Sequence, residues 1–329
     1  MSSLSHKKIL MFALRYLPVL LFAVVILSFS LMSPRFLDVK NMINIVIQSS
    51  NIGILGIGMT FVLLTGGVDL SVGAIMYLAC ASLAVYLTGL PVWLAIVVMG
   101  IIGMAFGAVN GLVITRLNVA PFIATLATLF IGRGLALFVT GTQLLTLPPS
   151  MLELGRSNIL GVSWTIWAFA LVMAVSWFIL ARTPFGRHVY AVGADAESAA
   201  KAGINVRRVQ FFVYVICGLL AAIAALVSGS QVGSISPNFA LQKEFAAIAA
   251  AVLGGTSLFG GRGGVLGTVF GALLIQTVEN GLVIINADPY IYPMVTASII
   301  FIAVMVDSLR TNFLERIDQR VIRMEDISK

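Results

Sequence analysis

Charge is what this sequence has least of. Asp, Glu, Lys and Arg make up 10% of the 329 residues, against 60% hydrophobic, where a soluble domain carries roughly 25% charged and 45–50% apolar residues. That balance excludes a soluble protein and identifies a membrane protein. Histidine and cysteine are scarce too, with two each. His6, His188, Cys80 and Cys217 give none of the spacings of a metal site. Both cysteines lie in apolar runs as small buried thiols, so neither a zinc site nor a disulfide is expected. No Gly-rich loop runs into Gly-Lys-Ser/Thr, the arrangement that cradles nucleotide phosphates. The chain therefore cannot hydrolyse ATP by that route, and no cofactor is expected.

What is present is a succession of apolar runs, at residues 9–31, 43–64, 70–87, 92–114, 121–139, 163–181, 209–228, 245–253, 265–285 and 290–306. A spanning helix takes about 20 residues. The runs predict an all-α, polytopic bundle of about ten transmembrane helices, forming a single membrane domain over 1–329. The first run exceeds a signal-peptide core and no small-residue cleavage site follows it, so it reads as a retained helix. With the N-terminus inside, fifteen of the twenty Lys and Arg fall in cytoplasmic segments, four outside, and Arg133 within a span. This bias predicts both termini in the cytoplasm. It also accounts for the net charge of +7 without nucleic acid.

Two segments interrupt the spans. From Asn51 and Thr60 the chain reaches Thr65-Gly66-Gly67-Val68-Asp69-Leu70-Ser71, where paired glycines release the helix and Asp69 or Ser71 can cap its restart at Val72. A broken helix is expected, either as a capped turn or as the lining of a solute path. Residues 254–264 hold six glycines in eleven positions, which forbids a regular helix. The run before them, 245–253, fits a re-entrant segment as well as a full span. Gly267 and Gly271 then offer a small face for close helix packing. Ionisable residues at membrane depth are Asp69, Arg133, which can snorkel from the outer end of its helix, and Glu279, next to Asn280. A charge there costs at least ~2.5 kcal/mol and has to face protein or water. Glu279 suits a pathway or gate as well as a structural hydrogen bond.

Gly58-Met59-Thr60 through Asp69-Leu70-Ser71-Val72-Gly73, Phe122-Ile123-Ala124-Thr125-Leu126 with Arg133-Gly134, Gly203-Ile204-Asn205-Val206, Ala251 to Leu258 and Asn280-Gly281-Leu282 together resemble the permease subunit of ribose-type ABC importers, over roughly residues 40–310. Glu279 departs from the neutral residue of that pattern. The resemblance implies a bacterial inner-membrane permease that pairs with a second permease subunit, is driven by a separate cytoplasmic ABC ATPase, and receives a monosaccharide or small polyol from a periplasmic binding protein. The glycine-opened backbone and the scattered polar residues suggest a path lined by Asn51, Thr60, Thr65, Asp69, Ser71, Glu279 and Asn280, where a passing sugar needs only weak hydrogen bonds. Branched-chain amino acid permeases of the same wider family are the alternative, as is an ion-coupled transporter with Asp69 or Glu279 as relay.

The longest segment assigned to the inside between spans, 182–208, carries a short helix by its own signals. These are Asp195 as N-cap, an i, i+4 pair of Glu197 and Lys201, and Gly203 as stop, with Ala199 and Ala200 on a small flat face. So short a helix needs something to dock on. Its own transmembrane bundle can serve, or a partner, and the resemblance implies that the partner is the ATPase. At the end of the chain, 307–329, Leu309, Phe313, Ile317 and Val321 recur every four residues beside Arg310, Arg316, Arg320 and Arg323, a pattern that suits a tail lying on anionic lipid as well as a solvated, partly disordered one.

Overall fold

The computed structural model describes residues 20–298 together with 301, 302 and 305. The tail at 307–329 and the basic N-terminal residues Lys7, Lys8 and Arg15 lie outside them. Within the described residues, each apolar run read from the sequence coincides with helix over most of its length. In order these are α1 (Leu20–Met32), α2 (Val39–Leu64), α3 (Val72–Tyr86), α4 (Val92–Arg116), α5 (Pro121–Thr140), α6 (Pro149–Arg156), α7 (Trp164–Arg182), α8 (Pro184–Ala194), α9 (Ala196–Lys201), α10 (Val206–Val232), α11 (Lys243–Leu253) and α12 (Val265–Ile284), before a last helical stretch at 292–298. Among the described residues, α2, α4, α5, α7, α10 and α12 are long and apolar enough to cross a membrane. The fold is an all-α polytopic membrane bundle.

Two helices fall short of that length. With 11 residues and ~1.5 Å rise per residue, α11 covers only about half of a ~30 Å hydrocarbon core, so the segment before the glycines is no full span by itself. At 15 residues, α3 is also short, and its first ten residues are buried. α2 stops at Leu64 because Gly66 turns left-handed (φ 74°) and Gly67 N–H folds back onto Val62 O at 3.1 Å. Here is the break expected from the paired glycines.

The chain divides into two compact units, one of Val39–Gln276 and the other of the flanking segments up to Asp38 and from Thr277. In the larger unit α2, α3 and α11 are buried, while α4, α5 and α7 turn much of their apolar surface outward. α10 packs along α4, where Gly103 and Gly218 each face the other's carbonyl so closely that neither can carry a Cβ. Gly267 and Gly271 do what their spacing suggested, resting on the backbone of Gly254 and Ala250. Two-residue strands β1 (Leu145–Thr146), β2 (Asn158–Ile159), β3 (Val162–Ser163) and β4 (Ser234–Ile235) pair antiparallel as β1–β4 and β2–β3. In the smaller unit the Phe29 ring covers Gly281 and lies 5.6 Å from Phe36.

Candidate functional site

The turn between α2 and α3 is held by a polar network centred on Asp69 Oδ1, with Asp69 Oδ2 buried and unpartnered. Asp69 Oδ1 accepts from Ser71 N–H (3.0 Å), Ser71 Oγ–H (2.6 Å) and Asn110 Nδ2–H (3.3 Å). Asn110, on α4, also donates to Ser71 Oγ at 2.8 Å and accepts from Thr128 of α5 at 2.7 Å. Carbonyl Val68 O accepts from Thr125 and from Tyr214 of α10. Ser71 is the N-cap residue of α3, but its hydroxyl turns to Asp69 rather than to the helix amides. Asp69 and Ser71 have no exposed surface, while Gly66, three residues earlier, is exposed. Asn110, Thr128 and Tyr214 carry no sequence signal, since each sits inside an apolar span where a single polar residue has no periodicity; Thr125 belongs to the Phe122–Leu126 motif, which gave it no partner.

The other residues singled out in this unit are dispersed along α2. Thr60 Oγ1 shares a hydrogen with Thr268 Oγ1 of α12 at 2.6 Å and donates to Gly56 O, and Thr65 Oγ1 donates to Val62 O. Asn51 is buried with its Oδ1 unpartnered. Next to it, Gln48 accepts from Gln276 Nε2 at 2.8 Å. Glu279, half-buried, and Asn280, buried, lie on α12 within the other compact unit.

The 182–208 segment is more structured than expected. Besides α9 it contains α8, which the sequence reading passed over although Thr183-Pro184 is a helix start: Pro occupies the first turn and Thr183 Oγ1 accepts from Gly186 N–H at 3.3 Å. α9 has the anticipated signals. Asp195 accepts from Ser198 N–H at 2.9 Å, Lys201 Nζ meets Glu197 Oε1 at 2.8 Å, and Gly203 is left-handed (φ 84°). Ala199, however, is 5% exposed and faces the chain's own interior. The outer face of α9 is formed by Glu197, Ala200 and Lys201.

α8 brings both glycine-rich segments together. Its Gly193 lies on Leu64 O, at the end of α2, with no room for a Cβ. The same carbonyl accepts from Gly261 N–H at 3.0 Å, and Tyr190 Oη donates to Gly263 O at 2.9 Å. The broken-helix turn, the 254–264 loop and α8 thus meet backbone to backbone.

Arg133 does not merely snorkel. Its Nη1 donates to Phe239 O (3.0 Å) and Pro237 O (3.4 Å), and its guanidinium stands 5.6 Å over the Tyr77 ring. Its charge is attracted by that of Glu244, a buried carboxylate in the first turn of α11 that no sequence signal marks, without the two forming an ion pair. Among the described residues no group of three His, Cys, Asp or Glu could hold a metal ion.

A family model described as "Branched-chain amino acid transport system / permease component" matches residues 41–307. The ribose import permease protein of Bacillus subtilis is 40% identical over 288 residues, 86% of this chain and 89% of that protein. Its counterpart in Haemophilus influenzae is 38% identical over 285 residues, 85% and 88% of the two chains. The D-allose transport system permease protein of Escherichia coli is 34% identical over 315 residues, 94% and 97%. No solved structure matches the chain.

Proposed function

The chain belongs to the transporter-permease family whose model spans 41–307, and from that premise we propose that it is the membrane subunit of an ATP-binding cassette importer for a monosaccharide or small polyol. The observation that carries the solute class is the likeness, at 34–40% identity over 85% or more of the chain, to permeases named for ribose and allose. The family's amino acid description and an ion-coupled transporter are the alternatives. In this reading the protein sits in the bacterial inner membrane with both termini cytoplasmic, pairs with a second permease subunit, takes sugar from a periplasmic binding protein, and leaves ATP hydrolysis to a separate ATPase chain.

The path runs past the Gly66–Val68 backbone, with Asn51, Thr60 and Thr65 as weak polar contacts, and Asp69 and Ser71 hold that turn in shape; Glu279 and Asn280, in the other compact unit, are taken by themselves as polar contacts of the same kind. A permease gains nothing from tight binding, because a solute held firmly leaves slowly. The exposed face of α9 (Glu197, Ala200, Lys201) docks the ATPase, Asp195 and Gly203 bound the helix, and Ala199 anchors it inward. Motion received there reaches the path through α8 and its contact with Leu64 and Gly261. The test is uptake in proteoliposomes containing the permease, its ATPase and its binding protein. Uptake of D-ribose or D-allose that requires ATP and ignores proton or sodium gradients is expected. Uptake of leucine instead, or uptake driven by an ion gradient without ATP, would replace this reading with one of the alternatives.

A further inference from the structure

Glu244 of α11 is buried and Arg133 of α5 half-buried, each with hydrogen-bonding capacity left over. Glu244 is 5% exposed and its Oε2 has no partner; Arg133 Nη2 is buried and equally unpartnered. The two charges attract each other without closing into an ion pair. Glu244 Oε2 points at Gly73, where a Cβ would collide with it, so the start of α3 leaves that oxygen its space. One turn along α3, Tyr77 presents its ring to the guanidinium, and Phe239 lies 6.5 Å from Tyr77 centre to centre. Leaving a buried polar atom unpaired costs about 1–3 kcal/mol, more if it is charged, and ionisable groups at membrane depth mark solute paths.

We propose that Glu244 Oε2 and Arg133 Nη2, beside the Tyr77 and Phe239 rings, form a transit subsite for a neutral polyhydroxylated solute; this rests on the function proposed above and names where on the chain the sugar is held. The chemistry selects the class. An anion would meet Glu244, a cation would meet Arg133, and an apolar solute would leave both unpaired. A hydroxyl group answers both at once, donating to the carboxylate and accepting from the guanidinium, while the C–H face of a sugar ring lies on the aromatic rings. The opposite charges leave the subsite neutral. Leu241 and Gln242, just before α11, are exposed.

The experiment measures import kinetics in proteoliposomes of the complete transporter, with D-ribose and its singly deoxygenated analogues as probes. Glu244→Gln keeps the shape and removes the charge. It is expected to raise KM for D-ribose about tenfold, the effect of losing a hydrogen bond to a charged group, with the yield and melting temperature of the assembled complex held. For one deoxy analogue, wild type and variant should converge, because the hydroxyl that Glu244 reads is gone. Arg133→Lys, which retains the charge but not the fork, should show the same analogue dependence, and it decides the matter if Glu244→Gln does not assemble. An equal change for every analogue, an unchanged KM, or failure of both variants to assemble would make the cluster a structural tie and overturn the subsite. A wild-type complex that imports no sugar would reject the parent function and the subsite with it; wild-type import with unaffected variants would reject the subsite alone.

Discussion

Asp69 places three donors on a single carboxylate oxygen. An amide oxygen can accept the same three bonds, so Asp69→Asn is expected to insert and assemble normally. Asp69→Leu strands the Ser71 amide and Asn110 and should lower stability by roughly 1–3 kcal/mol, read as a fall in melting temperature of the purified protein in detergent. Full assembly of Asp69→Asn with lost transport would assign the charge itself to the path. The sequence showed that Asp69 sits at a helix restart. It could not show that Asn110 and Thr128, some 40 and 60 positions further on, join the network, because nothing local marks a polar residue in an apolar span as the partner of a distant one. The partners of Arg133 are hidden for the same reason: nothing near it in the sequence announces the carbonyls of Phe239 and Pro237 that accept from it.

Helix packing turns on backbone approach. Since Gly218 and Gly103 face each other's carbonyls, Gly218→Val should push α10 off α4 and cost several kcal/mol, as overpacked cores do, seen as loss of folded protein in detergent. Tyr190→Phe is milder: it removes the hydrogen bond to Gly263 O at the junction of α8 with the 254–264 loop and adds no atom. The expected result is a complex that assembles and hydrolyses ATP while sugar imported per ATP drops about threefold or more, within the range of substitutions along a coupling route. Parallel loss of hydrolysis and import would instead mark the junction as structural. On α9, Ala200→Arg should weaken co-purification of the ATPase and leave the permease folded. Ala199→Arg buries a charge inside the chain and is expected to lower the yield of folded permease. The short α9 was legible because its cap, ion pair and stop lie within nine residues; which of its alanines faces inward depends on α8 and α10, which lie against it.

Segments that an alternating path through the membrane assigns to one side do meet in the unit Val39–Gln276. β1 pairs with β4, and the turn after α2 meets α8 and the 254–264 loop. Absolute orientation rests on the distribution of Lys and Arg. Single cysteines at Ser198 and Leu160, both exposed, in a chain lacking Cys80 and Cys217, are expected to react with impermeant maleimide from the cytoplasmic and the periplasmic side respectively. The opposite pattern would invert the topology and remove α9 from reach of the ATPase.

By itself the sequence determined the solvent this chain folds in, the positions of its apolar helices, and the two places where glycine breaks them. Those properties are additive along the chain, since each run of about 20 apolar residues or cluster of glycines acts where it stands. Only the tertiary structure decided which polar side chains share a hydrogen, that Ala199 faces inward, that α8 carries the glycine junction, and that Arg133 and Glu244, whose charges attract, are left with an unpaired atom apiece. These are pairings between positions tens to more than a hundred residues apart, and they exist because buried donors and acceptors have to find partners wherever the packed helices bring them.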